Sequence, residues 1–154
     1  MSTDRIEKRI ILRAPRSRVW RALSNPDEFG RWFGARLVGD FTPGTHVAGQ
    51  ITIPGHEHVT FEMVVEKVEP EAMFAYRWHP APSDPALDRA SEPMTLVEFR
   101  LTEVADGTEL TVIESGFDRI PLGRRSEAFR MNDNGWAAQI LNLERYVAAA
   151  SHVL

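Results

Sequence analysis

The feature that most constrains the fold of this chain is a long helical pattern that begins after Pro121 and continues to the C-terminus. One face of this helix consists of residues spaced three or four apart, which are Phe129, Asn132, Trp136, Ile140, Leu143 and Val147. Residues 132–135 are Asn-Asp-Asn-Gly, a run of poor helix formers, so a kink or a break is an alternative to the single helix that we predict. A filled core is the simplest partner for such a face. The polar Asn132 and the glycine at Gly135 instead indicate that part of it borders a cavity.

The composition of the chain favours one domain and excludes several kinds of site. Its 154 residues, 43% of them hydrophobic, are enough for one domain with a sizeable core, which we place over residues 1–154. The net charge of −4, with acids and bases mixed along the chain, favours neither a nucleic-acid partner nor a membrane surface. The absence of cysteine excludes disulfides and thiolate metal sites. No signal peptide or long apolar run is present, so we expect a cytoplasmic protein.

Periodicity along the rest of the chain predicts strands and two short helices. A strand over 5–13 is followed by helices over 15–23 and 26–33, and Asn25 is predicted to cap the second helix. Alternating apolar residues then predict six further strands, over 35–38, 45–53, 58–69, 73–79, 95–104 and 109–115. This order indicates an α+β domain with the terminal helix across one face of an antiparallel sheet. Residues 80–93 contain four prolines and are predicted to form a long loop, a mobile flap beside the strand that precedes it.

Large side chains that are predicted to point toward the helix are candidate ligand contacts. Phe74, Tyr76 and Trp78 share one face of a predicted strand, and three rings on one strand need a deep space. Gly135 is interpreted as a point where the helix backbone lies close to the sheet, with the Trp136 indole over these three rings. The full set predicted to line a cavity is Phe29, Trp32, Phe33, Val47, Ile51, Met63, Phe74, Tyr76, Trp78, Val97, Phe99, Val112, Glu114, Asn132, Trp136, Ile140 and Leu143. The alternative, that these side chains fill one another's space, stays open.

Glu114 is the polar residue of this set that is best suited to a chemical role. With Asn132 and the Tyr76 hydroxyl it is predicted to project into or beside the cavity. If it is buried without a cation, its ionised form is disfavoured, and it becomes a candidate acid, base or ligand anchor. The structural alternative is an ion pair with an arginine, for which Arg77, Arg124 and Arg130 are the candidates.

Motifs for metal or cofactor binding are weak in this sequence. His56 and His58 flank Glu57 in a predicted turn, but no third ligand accompanies them, so we predict no metal site. No Gly-x-Ser-x-Gly elbow supports a catalytic serine, and no glycine-rich loop opens a helix as a phosphate site requires. We therefore predict neither a catalytic residue set nor a cofactor.

Taken in order, the residues of the chain resemble those of a known family. The residues that carry the resemblance are Pro15, Val19, Trp20, Ala22, Leu23, Pro26, Phe29, Trp32, Phe33, Pro43, Gly44, Trp78, Val97, Phe99, Leu101, Gly107, Thr108, Leu110, Glu114, Ser115, Gly116, Phe117, Gly135 and Trp136. The pattern is similar to homologues of the activator of the 90-kDa heat-shock-protein ATPase, in the START-like (SRPBCC) superfamily that includes the birch pollen allergen. The resemblance implies a helix-grip fold, in which a curved antiparallel sheet of six to seven strands wraps the C-terminal helix and leaves an apolar cavity.

Three functions follow as hypotheses from the aromatic set and the resemblance. The first is non-enzymatic binding of a small apolar or amphipathic molecule in the cavity. The second is a cyclase- or hydrolase-like enzyme that uses Glu114. The third is an interaction protein of the heat-shock ATPase activator type, with a chaperone as partner and a role in the stress response. A homodimer is compatible with all three.

Removal of metal ions is expected to leave the stability of the protein unchanged. The His56 and His58 pair lacks a third ligand, so no binding energy of a metal contributes to folding. Thermal unfolding followed by circular dichroism, with and without EDTA, measures this directly. A melting temperature that falls with the chelator and is restored by zinc would show that the prediction is wrong.

Overall fold

The computed structural model describes residues 5–79 and 93–151 as one antiparallel sheet with three helices. In chain order the elements are β1 (Arg5–Leu12), α1 (Arg16–Ser24), α2 (Pro26–Phe33), β2 (Ala35–Val38), β3 (His46–Ile51), β4 (Thr60–Glu69), β5 (Met73–Trp78), β6 (Thr95–Val104), β7 (Gly107–Ser115), a 3₁₀ turn (Phe117–Arg119) and α3 (Leu122–Ser151). The predicted α+β architecture is confirmed. The predicted flap over 80–93 lies outside the described residues, apart from Pro93.

The sheet has seven strands in the order β1-β7-β6-β5-β4-β3-β2. Each neighbouring pair is antiparallel, so the chain returns from β2 through β7 as a meander and β1 adds to the far side of β7. The long helix α3 contacts β1, α1 and α2. This arrangement is the predicted helix-grip fold.

The short helix α2 is fixed at both ends by local signals. The Asn25 side chain accepts a hydrogen bond from the backbone N–H of Glu28 at 3.0 Å, which confirms the predicted cap, and Pro26 occupies the first turn. The helix ends at Gly34, whose φ of 96° is a left-handed conformation that suits glycine. The helix consequently presents Phe29 and Phe33 to the interior.

An aromatic cluster fills the space between α2 and the sheet. The ring of Phe29 lies 4.8 Å from Trp32 and 6.2–6.5 Å from Phe74, Tyr76 and Phe99, measured between ring centroids. All of these side chains are buried. Burial of rings at this density supplies much of the stability of a domain of this size.

Helix α3 continues without interruption through residues 132–135, so the predicted single helix is confirmed and the break is not observed. The predicted close approach at Gly135 is wrong. A Cβ atom placed on Gly135 would meet nothing within 4 Å, whereas Trp136 beside it is buried. The helix therefore passes open space at this point. No helix among the described residues is both long and apolar enough to cross a membrane.

Strand β7 alternates strictly between buried and half-buried residues along its length. Because side chains of a strand point alternately to the two faces, Leu110, Val112 and Glu114 all face the core. In the register of the sheet, Glu114 lies opposite Val97 on β6, and Val97 lies opposite Tyr76 on β5. The alternation thus places a carboxylic acid on the apolar face of the sheet.

Candidate functional site

A cavity of about 640 Å³ lies beside the middle of α3, at the end of the sheet where β4 and β5 meet the C-terminal end of α2. The described residues that line it are Phe33, Ile51, Val59, Thr60, Phe61, Glu62, Trp78, His79, Met94, Met131, Asn132, Gly135, Trp136 and Gln139. Eight of these residues have apolar or aromatic side chains, and five have polar or charged ones. That composition is typical of a small-molecule site.

The structure brings only part of the predicted set to this cavity. The predicted residues that line it are Phe33, Ile51, Trp78, Asn132 and Trp136. Those outside its lining are Phe29, Trp32, Val47, Met63, Phe74, Tyr76, Val97, Phe99, Val112, Glu114, Ile140 and Leu143. Apart from the half-buried Ile140, this second group is buried in the core. Its rings fill one another's space, which leaves the open volume at one end of the sheet.

Several lining residues are not among the predicted ligand contacts. They are Val59, Thr60, Phe61, Glu62, His79, Met94, Met131, Gly135 and Gln139. Most lie at strand ends or in α3, where the sequence does not show which strand extends past its neighbour. One signal was present, since Asn132, Gly135 and Gln139 form a stripe of polar or small residues at helical spacing. The Gln139 amide also donates to the Phe33 backbone carbonyl at 2.9 Å, which ties α3 to the end of α2.

Glu114 lies directly behind the cavity wall and is fully buried. Its Oε1 accepts a hydrogen bond from Trp136 Nε1 at 2.8 Å, and its Oε2 accepts from Trp78 Nε1 at 2.8 Å and Thr95 Oγ1 at 2.5 Å. The Asn132 amide donates to both oxygens, at 2.9 and 3.0 Å. One carboxyl group therefore joins β5, β6, β7 and α3.

These contacts occupy the acceptor sites of the carboxyl group with neutral donors. A carboxylate offers about four lone-pair positions, and an indole N–H can only donate. Arg77, one of the predicted ion-pair partners, instead pairs with Glu66 at 3.2 Å on the sheet. A buried carboxyl group that is satisfied in this way stabilises the fold and has little remaining capacity to accept a proton from a substrate.

The hydrogen bonds to Glu114 orient two indoles that line the cavity. The rings of Trp78 and Trp136 lie 5.7 Å apart with an interplanar angle of 30°. Trp136 also contacts Phe99 at 5.6 Å and Phe33 at 6.4 Å. The prediction that this indole lies over Phe74, Tyr76 and Trp78 is therefore correct for Trp78 alone, since Trp136 forms ring pairs with Trp78, Phe33 and Phe99.

The Tyr76 hydroxyl is buried beside this cluster and has no hydrogen-bond partner among the described residues. Burial raises the pKa of Tyr76 well above its ordinary value of 10.0, and the negative charge of Glu114 raises it further. The hydroxyl therefore keeps its proton at physiological pH. It does not line the cavity, so the geometry gives it no contact with a ligand there.

The predicted pair His56 and His58 lies in the connection between β3 and β4, outside the cavity lining. The Glu57 side chain between them accepts a hydrogen bond from the Gly55 backbone N–H at 2.6 Å. No group of three or more His, Cys, Asp or Glu residues in the described part of the chain has the arrangement of a metal site.

Comparison with known families adds to this geometry. The family described as activator of Hsp90 ATPase homolog 1-like protein matches residues 13–148. The chain belongs to this family. Members of this START-like fold commonly bind hydrophobic ligands. No curated protein sequence matches this chain.

Solved structures share the fold at low sequence identity. Protein MLL2253 from Mesorhizobium loti has a TM-score of 0.74 and 23% identity, over 94% of this chain and 97% of that protein. Protein NE0264 from Nitrosomonas europaea has a TM-score of 0.74 and 18% identity, over 96% of each chain. DynU16, from the dynemicin biosynthetic locus, has a TM-score of 0.73 and 25% identity, over 96% of this chain but 48% of DynU16.

Glu114→Gln is expected to lower the free energy of unfolding by about 1–3 kcal/mol. The glutamine amide places an NH₂ group where one carboxylate oxygen accepts hydrogen bonds, so buried donors lose their acceptor. Glu62→Gln is the matched control, because the Glu62 side chain is 58% exposed and its loss leaves no buried donor unpaired. Urea unfolding measures both variants. Equal stability of Glu114→Gln and the wild type would contradict the structural role.

Tyr76→Phe is expected to leave stability unchanged or to raise it by up to about 1–3 kcal/mol, since it removes a buried hydroxyl without a partner among the described residues. Tyr146→Phe is the control, because the Tyr146 hydroxyl donates to Glu28 at 2.9 Å and its loss should destabilise the protein. Urea unfolding at neutral pH compares the two variants with the wild type.

The stability of Tyr76→Phe should also depend on pH differently from that of the wild type. The folded-state pKa of Tyr76 is raised, so the unfolded chain loses this proton more easily than the folded protein does. The stability of the wild type is therefore unaffected by this group below pH 10.0 and falls as pH rises above it. Tyr76→Phe should therefore lose less stability than the wild type in alkaline urea titrations. A variant that unfolds like the wild type across that range would refute the burial of an unpaired hydroxyl.

Proposed function

We propose that this family member binds a small apolar or amphipathic molecule in the cavity beside α3, and that binding proceeds without catalysis. The observation that carries the proposal is the cavity of about 640 Å³ beside α3, whose lining is mostly apolar and aromatic. Gly135 is an exposed residue that lines the cavity on the helix side, and it contributes no side chain to the volume.

The size and lining of the cavity support a ligand of modest dimensions. Sites for drug-sized molecules have volumes of about 300–1,000 Å³, and the cavity, at about 640 Å³, falls within that range. Phe33, Phe61 and Trp136 offer apolar surface, while Asn132 and Gln139 offer polar groups on the helix side. We propose that the predicted residues Phe33, Ile51, Trp78, Asn132 and Trp136 contact the ligand together with the other lining residues.

The chemistry of the site supports binding better than it supports an enzyme. An acid or base must be able to exchange a proton with the substrate. The acceptor positions of Glu114 are occupied by Trp78, Thr95, Asn132 and Trp136, and the residue does not line the cavity. A homodimer and a chaperone partner stay predictions, and we assign neither to a surface.

Filling the cavity from the helix side tests this function. Gly135→Leu places a side chain in the open space and should weaken binding of the neutral fluorescent probe N-phenyl-1-naphthylamine by about tenfold or more, roughly 1.4 kcal/mol. Stability should not fall, because replacement of a glycine inside a helix favours the helix by about 0.5–1 kcal/mol. The measurement is a fluorescence titration combined with thermal unfolding.

Gly123→Leu is the matched control. Gly123 is also in α3, a Cβ atom placed on it would also meet nothing within 4 Å, and it does not line the cavity. This variant should bind the probe like the wild type. Equal binding by Gly135→Leu and Gly123→Leu, or no binding by the wild type, would refute the proposed function.

A further inference from the structure

Four aromatic rings lie together on one side of the cavity, here called the aromatic wall and defined as Phe33, Phe61, Trp78 and Trp136. Trp78 is half-buried and the other three are buried. All four line the cavity. Phe33 and Phe61 lie 5.2 Å apart, each lies within 5.9 Å of Trp78, and Trp78 lies 5.7 Å from Trp136. The faces of such rings carry negative partial charge and attract cations, most strongly for tryptophan.

The carboxyl group of Glu114 strengthens this property of the wall. Both indole N–H groups donate to it at 2.8 Å, and the other donors, Thr95 and Asn132, are neutral as well. A hydrogen bond from an N–H group to a carboxylate polarises the donor ring and increases the electron density on its face. Two of the four rings are therefore polarised in the direction that favours a cation against their faces.

The remaining lining supplies no fixed positive charge. None of the described lining residues is lysine or arginine. Glu62 at the rim is acidic, although its carboxylate lies 4.0 Å from His46. Asp133, next to Asn132 on α3, is neutralised by Lys8 at 2.9 Å. Among the described residues, the carboxyl group of Glu114 is consequently the acidic group that lies directly behind the wall, where a low dielectric strengthens electrostatic interactions.

We propose that the ligand of this cavity carries an organic ammonium group on an apolar body, with the ammonium group against the aromatic wall. The inference rests on the proposed function and adds the chemical class of the ligand. A carboxylate or sulfate of the same shape meets polarised indoles and no lysine or arginine among the described lining residues, so the site selects against it. A neutral analogue gains the apolar contacts alone.

Isothermal titration calorimetry with probes that share an octyl chain tests this preference on the wild-type protein. The probes are octyltrimethylammonium, 1-octanol and octanoate, each below its micelle concentration and at about pH 8, where histidine side chains are ordinarily neutral. The ammonium probe should bind about 3- to 30-fold more tightly than octanol, the range expected of a cation on aromatic faces. Octanoate should bind most weakly.

The outcomes separate this inference from the function on which it rests. If no probe binds, the proposed function fails and the inference fails with it. If octanol or octanoate binds as tightly as the ammonium probe, the cavity binds apolar ligands and the ammonium preference is wrong. Octylphosphocholine distinguishes two sources of the cation, because tight binding of this probe indicates a lipid headgroup and weak binding indicates a free amine.

Two variants locate the preference on the wall. Trp78→Phe keeps a ring but removes the N–H bond to Glu114, so the ratio of octanol to ammonium dissociation constants should fall toward one while octanol still binds. Trp20→Phe is the matched control on α1, outside the cavity lining, and should keep the wild-type ratio. Retention of the wild-type ratio in Trp78→Phe would show that the wall does not carry the preference and would overturn the inference.

Discussion

The structure depends on a single buried carboxyl group that collects hydrogen bonds from three directions. Glu114 on β7 accepts from Trp78 on β5, Thr95 on β6, and Asn132 and Trp136 on α3. Without these donors a buried carboxyl group is strongly unfavourable, and without the carboxyl group the two indole N–H groups lose their acceptor. The need to satisfy both sides fixes the position of α3 over the sheet and the orientation of the tryptophans.

The same interaction leaves a cavity beside it. Trp78 and Trp136 are held back against the sheet by their bonds to Glu114, and Gly135 contributes no side chain to the space in front of them. Gln139 holds α3 to the end of α2 through the Phe33 carbonyl, at the edge of the cavity. A stabilising polar cluster and an open binding volume are thus two consequences of one arrangement.

The sequence predicts the fold better than it predicts the site, for physical reasons that particular residues illustrate. Alternation on β7 is a local property, so it places Glu114 on the inner face correctly. The partners of Glu114 depend on the register between distant strands. Opposite charge favours arginines as partners, whereas the donors are two indoles, a hydroxyl and an amide. The residues that line the cavity depend on which strands extend past their neighbours. The sequence does not show this, so Phe61 and Met94 are not among the predicted contacts. The meaning of Gly135 likewise depends on what lies opposite it.

The most direct test follows the indole N–H signals of the four tryptophans in a ¹H–¹⁵N spectrum during titration with 1-octanol. Trp78 and Trp136 line the cavity, whereas Trp20 and Trp32 do not. We expect the first two signals to shift together and saturate, and the other two to stay in place. Shifts confined to Trp20 or Trp32, or no saturable shift of any signal, would contradict a ligand cavity behind which Glu114 holds the two indoles.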